Sequence, residues 1–221
     1  MTEQEWLACT HSGSMLLFLE NRRSYRKFRL FAVACCRRIW PLMPEQRSRQ
    51  IVEVAERDAD DVADPEELVE VLDAAPVDLE GIDATEAAAY AAVCDDVQSA
   101  AGLSADYAAA AADEVSFSPL PRKITWGTGG IAERAAQAEL LRCIFGNPFR
   151  PLTLNPSWVT PTVTGLVETI YQERAFDLLP ILADALEEAG CDNSDILHHC
   201  RGNTSHARGC WVVDLLLARN E

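Results

Sequence analysis

Tyr25-Arg26-Lys27-Phe28-Arg29-Leu30-Phe31-Ala32-Val33-Ala34-Cys35-Cys36-Arg37-Arg38-Ile39-Trp40 decides how this chain is read. Phe28, Phe31, Ala32, Cys35, Cys36 and Ile39 recur at spacings of three, four and seven, which is one broad apolar stripe on an α-helix. Ser24 offers an N-cap oxygen ahead of it. Pro41 and Pro44 close this helix and open the next. Arg22, Arg23, Arg26, Lys27, Arg29, Arg37 and Arg38 are expected mostly beside or opposite the stripe.

Outward from that stretch the same period persists. Thr2-x-x-Glu5 is a capping box, and Ser14 is placed to cap a second helix. Ile51, Val54 and Ala55 continue the period after Pro44. Asp64-Pro65-Glu66-Glu67 reads as N-cap, N1, N2 and N3, and Thr160-Pro161 repeats the device. Asp83-x-x-Glu86 starts a long alanine-rich stretch that is expected to break at Gly102. Alanine favours helix but buries little area, so residues 84–112 are predicted to be helical and loosely held. Asp177 can cap a helix with Pro180 in its first turn, and Gly190 ends it. No stretch sustains period-two alternation. The prediction is an all-α fold of eight to ten helices, arranged as an irregular bundle or as stacked helical hairpins. It spans 1–221 as one domain, with the Pro/Gly loop at 115–131 as the candidate sub-boundary.

Charge is unevenly laid out. The net formal charge is -16. Residues 1–50 carry nine Lys/Arg against four Asp/Glu, whereas residues 51–118 carry one Arg, Arg57, against nineteen Asp/Glu. This acidic belt repels phosphates and speaks against nucleic acid as a partner. It reads first as a solvated face, with a basic protein partner or the chain's own basic N-terminal third as the alternatives. No run reaches the length of a membrane span, and no basic n-region precedes an apolar stretch, so a cytoplasmic protein is expected. The eight cysteines include the adjacent Cys35 and Cys36 and are expected to be reduced and mostly buried. Gly127-x-Gly129-Gly130 lacks the preceding strand and the Lys-Ser/Thr pair of a phosphate loop.

Two segments carry candidate chemistry. Cys191, His198, His199, Cys200, His206 and Cys210 gather thiolate and imidazole, the side chains that zinc prefers. The candidate ligand set is His199, Cys200, His206 and Cys210. It rests on the four-residue spacing of His206 and Cys210 on an extended helix and on the short loop before them. No C-x-x-C pair is present, so the plainer reading is core thiols with surface or hydrogen-bonded histidines and no cofactor. A thiolate–imidazole pair oriented by Asp214 would be a cysteine nucleophile, the least supported of the three. The second segment, Phe145-Gly146-Asn147-Pro148-Phe149-Arg150-Pro151, can be a rigid docking loop using Asn147, Phe149 and Arg150, or a buried corner between helix layers.

The run from Arg29 to Trp40 resembles the opening motif of an uncharacterised, alanine-rich bacterial family. Phe145 to Pro151 is similar to a second motif of it, and Arg174-Ala175-Phe176-Asp177 with Leu179 to Leu186 to a third. His199-Cys200-Arg201-Gly202, then His206, then Arg208-Gly209-Cys210-Trp211-Val212-Val213-Asp214 resembles its closing motif. The resemblance covers both ends of the chain and implies no activity. The function read from sequence is therefore a helical binding or structural module. The zinc-stabilised protein is its alternative, and the cysteine-dependent enzyme is the third.

Overall fold

The computed structural model describes residues 1–21, 24–73, 83–115 and 128–219. Among these residues there are twelve α-helices and no strand. Ten have at least eight residues, and two six-residue helices, α1 (Glu3–Ala8) and α12 (Trp211–Leu216), bring the total above the expected eight to ten. No described helix is long and apolar enough to cross a membrane. Contacts divide the chain into two compact units, Met1–Leu141 and Arg142–Glu221, with the division inside a helix. Of the expected sub-boundary at 115–131, residues 116–127 lie outside the described residues, as do Arg22 and Arg23.

The first unit contains α2 (Ser12–Leu19), α3 (Tyr25–Arg38), α4 (Gln46–Asp58), α5 (Pro65–Asp73), α6 (Ala84–Ala91), α7 (Val97–Val115) and most of α8 (Thr128–Phe145). Thr2 and Glu5 form the expected reciprocal cap of α1, and Ser24 accepts from the Lys27 N–H at the start of α3. Ser14 does not cap α2. Its N-cap position falls three residues earlier, on His11, and Ser12 turns inward to donate to Gln137 Oε1 at 2.8 Å. A buried hydroxyl with a buried partner outweighs the cap, because an unpaired one would carry the full desolvation cost.

The alanine-rich segment is the reverse of loosely held. It breaks at 92–96, ahead of Gly102, and α6 and α7 pack on each other and on α3. Ala87, Ala88, Ala89, Ala101, Ala108 and Ala109 are wholly buried. A methyl group lets helix backbones approach closely, so the stabilisation comes from many short dispersion contacts rather than from large side-chain areas. Alanine also loses no rotamer entropy on burial. The Ala88 carbonyl shows the closeness: it accepts from the Cys36 thiol at 3.3 Å and from Ser104 Oγ at 3.1 Å. Burial pushes the Cys36 thiol up to about 12, which keeps it a donor.

Arg26 and Arg37 of α3 are partnered with the acidic belt, and Arg38 with Glu133 of α8. Arg26 meets Asp60 at 2.9 Å, Arg37 meets Glu56 at 2.8 Å, and Arg38 makes two bonds to Glu133 at 2.8 and 2.9 Å. Arg29 lies beside the stripe and is buried with it. It is 2% exposed and donates to the carbonyls of Ala92 and Cys94 at 2.5 and 2.8 Å and to the Tyr25 hydroxyl at 2.7 Å. Its Nε lies 3.3 Å from Asp58, an ion contact without hydrogen-bond alignment. The guanidinium thus closes the turn between α6 and α7, whose carbonyls no helix satisfies.

Two substitutions test this packing. Gly102 lies inside α7 with nothing within 4 Å of an added Cβ, so Gly102→Ala is expected to stabilise by about 0.5–1 kcal/mol. Ala105→Leu, at 2% exposure, is expected to destabilise by about 1–3 kcal/mol through overpacking. Denaturant unfolding measures both, and a neutral leucine would mean the interface is not close-packed. Arg29→Met leaves the Ala92 and Cys94 carbonyls without their donor and removes the counter-charge of Asp58, and should lose about 3–5 kcal/mol. A loss under about 1 kcal/mol, the value of a surface pair, would contradict the burial.

Candidate metal centre

The second unit takes the last turn of α8, then α9 (Pro161–Glu173), α10 (Leu179–Glu188), α11 (Ser194–Arg201) and α12. Thr160 caps α9 through the Val163 N–H, with Pro161 in the first turn. Asp177 does not cap α10; it lies in a single 3-10 turn, Phe176–Leu178, that leads into it. Val163, Ile170, Leu182, Leu186, Ile196 and Val212 form a core that is at most 1% exposed. Against it the structure brings together Cys143, His199, His206 and Cys210, whose ligand atoms all lie within 4.8 Å of one another.

Each donor is set by a local device. Cys143 stands in the last turn of α8, which ends at Gly146 with φ of 67°. A Cβ at Gly146 would sit 3.2 Å from the Trp211 ring, so glycine serves both the left-handed turn and the ring's close approach. His199 projects from α11, whose cap residue Asn193 accepts from the N–H groups of Asp195 and Ile196. His206 is carried by the loop between α11 and α12. Arg208 pins that loop by donating to the carbonyls of Tyr171 and Gln172, both at 3.3 Å, at the C-terminal end of α9. A cation on those terminal carbonyls also complements the helix dipole. Cys210 is the N-cap residue of α12 and is 1% exposed.

The atoms pair crosswise. Cys143 Sγ lies 3.5 Å from His206 Nδ1, and His199 Nε2 lies 3.2 Å from Cys210 Sγ. The two imidazoles meet edge to face at 4.9 Å between centroids; Trp211 lies 5.2 Å from His199, and Phe176 stacks on His206. Burial pushes the Cys210 thiol up, but the hydrogen bond from Cys143 and the charge and hydrogen bonds of the histidines outweigh it. Cys210 is therefore held well below the ordinary thiol range. The same hydrogen bond to Cys210, with burial, pushes Cys143 up.

Three of the four residues expected as ligands, His199, His206 and Cys210, stand in this group. Cys200 does not, and Cys143 takes the fourth place. Cys200 follows His199 directly on α11, and adjacent helical residues do not share a face. It points into the core, 1% exposed, where burial pushes its thiol up. Cys191 is buried in the same core and His198 is exposed. His206 is not on an extension of α12, since the loop itself delivers it. Cys143 escaped sequence reading because it lies 63 residues before His206 and fits the apolar pattern of α8. Its one local signal is its place a turn before a glycine stop.

The docking segment is a tight turn. Asn147 Oδ1 accepts from the Phe149 N–H at 3.0 Å, and its carbonyl accepts from Arg150 at 3.1 Å. Phe149 and Arg150 are exposed, and Arg150 is 3.8 Å from Asp195. Asn147 shapes the turn while the other two face outward.

The donor set fits tetrahedral zinc. Bonds of about 2.3 Å to sulfur and about 2.0–2.1 Å to nitrogen imply a sulfur–nitrogen edge of about 3.5 Å. The crosswise contacts of 3.5 and 3.2 Å match that edge, and the longest separation of 4.8 Å leaves a small contraction for the metal to make. No protein-family model matches the chain, and neither a curated protein nor a solved structure does.

Gly146→Ala is expected to destabilise the second unit by about 1–2 kcal/mol, the cost of a side chain in the left-handed region, with Trp211 displaced as well. Hydrogen exchange across α11 and α12 would register it. Unchanged protection there would contradict the role given to Gly146.

Proposed function

We propose that this chain is a helical binding or structural module whose second unit is held by one Zn²⁺ on Cys143, His199, His206 and Cys210. The observation that carries the reading is the convergence of two sulfurs and two imidazole nitrogens within 4.8 Å. Those residues come from α8, α11, a loop and α12, elements that bury little area separately. Four protein ligands make a closed shell, which suits a structural rather than a catalytic metal. A divalent cation on the cluster would take the sulfurs as thiolates and offset the cost of burying their charge. Phe176 and Trp211 would limit water at the site and orient the imidazoles. The module's outward face next to the site is the turn bearing Phe149 and Arg150, which a metal on Cys143 would hold rigid.

A cysteine-dependent enzyme is the second reading, because the 3.2 Å contact of Cys210 with His199 resembles a nucleophile and its base. Against it, Cys210 is 1% exposed, so the sulfur is closed to a bulky substrate. Elemental analysis of protein purified without added metal should find about one zinc per chain. Cys143→Ser and Cys210→Ser should each lose it, while Cys200→Ser should keep it. Cobalt should replace zinc and give the visible absorption of a tetrahedral site with two thiolates. A chain free of metal and indifferent to chelator would overturn the zinc reading, and rapid alkylation of native Cys210 would favour the enzyme.

A further inference from the structure

Four cysteines lie in the core of the second unit, yet only two of them share a ligand cluster. Cys143 and Cys210 both stand at helix ends rather than in helix interiors. Each has a left-handed glycine beside it: Gly146 follows Cys143 by three residues, and Gly209 with φ of 84° directly precedes Cys210. Glycine is where backbone adjusts at least cost. The sulfurs are within 4.8 Å, and a disulfide requires about 2.05 Å with fairly strict dihedral geometry, so some backbone movement is needed and these junctions can supply it. The two imidazoles beside them are only half-buried, so the cluster borders the surface although the sulfurs themselves are 1–2% exposed.

Building on the zinc reading above, we propose that the Cys143–Cys210 pair is a redox release for the metal, in which a hydroperoxide converts the two thiolates to a disulfide and frees Zn²⁺. One zinc-bound thiolate attacks a peroxide oxygen and the O–O bond breaks. The departing oxygen takes a proton from solvent and leaves as alcohol, or as water from hydrogen peroxide. The attacking sulfur is now a sulfenic acid. The second thiolate attacks it, the S–S bond forms and the S–O bond breaks. Hydroxide departs and takes a second proton to become water. Two electrons pass from the sulfurs to the peroxide, and zinc keeps its charge throughout. Only His199 and His206 remain as donors, half the shell a structural zinc requires. The thiolate is the reactive form of cysteine, and zinc holds both sulfurs in that form. Cys191 and Cys200 lie outside the cluster, buried in the surrounding core.

The test uses the zinc-loaded full chain with hydrogen peroxide. A chromogenic zinc chelator follows release, and peptide mapping under non-reducing conditions identifies the bridge. The expected result is about one zinc freed for each Cys143–Cys210 disulfide, reversed by a dithiol reductant with added zinc. Cys200→Ser should behave as the parent does. Cys143→His, which keeps a fourth nitrogen or sulfur donor, should hold zinc through the same treatment. Zinc that stays bound while peroxide is consumed would overturn the release, as would a bridge to Cys200 or Cys191, or sulfinic acid in place of a bridge. Zinc content before peroxide is added separates the two ideas. A chain that holds zinc but forms no bridge loses only the release, whereas a chain that never held zinc loses both.

Discussion

Successive side chains leave a helix axis about 100° apart, and that single constraint governs both units of this chain. It makes the stripe on α3 legible and places Arg29 one step round from Phe28. It also divides His199 from Cys200. A helix can offer one of two adjacent residues to a given site, and the other must answer to a different neighbour. In α11 the histidine goes to the cluster and the cysteine goes to the core.

Where the information was local, the sequence could be read. The caps of α1, α3, α5 and α9, the glycine stop of α8 and the all-α class follow from neighbours within one turn. The site was partly readable for the same reason, since His199, His206 and Cys210 lie close in the chain. Cys143 was not, because its membership depends on how α8 meets elements 63 residues away, and a cysteine in an apolar pattern has no mark of that. The alanine segment was misread for a different reason. Low area per side chain was taken as weak holding, but α6 and α7 gain from the closeness of backbones, which no single residue displays. The role of Arg29 was not legible either: the carbonyls it satisfies belong to a turn that only the fold brings near.

Polar groups therefore do comparable work in the two units by different chemistry. In the first, one guanidinium reaches backbone carbonyls that the break between α6 and α7 leaves open, with Asp58 beside it as counter-charge. In the second, two cysteine sulfurs and two imidazoles meet within 4.8 Å. The guanidinium is a buried charge with several partners, the condition under which such a charge is tolerated and its removal is expensive.

The chain order of the four donors has a consequence for how the protein forms during synthesis. Cys143 leaves the ribosome well before the others, whereas His199 and Cys210 are separated by only eleven positions. A metal captured by the late group alone closes a short loop, and adding Cys143 closes a much longer one, though closure entropy grows only slowly with length. The residues of the first unit and of α9 and α10 all precede that event. Those segments are therefore available to pack before the late donors emerge, and on the zinc reading a metal would close the cluster last.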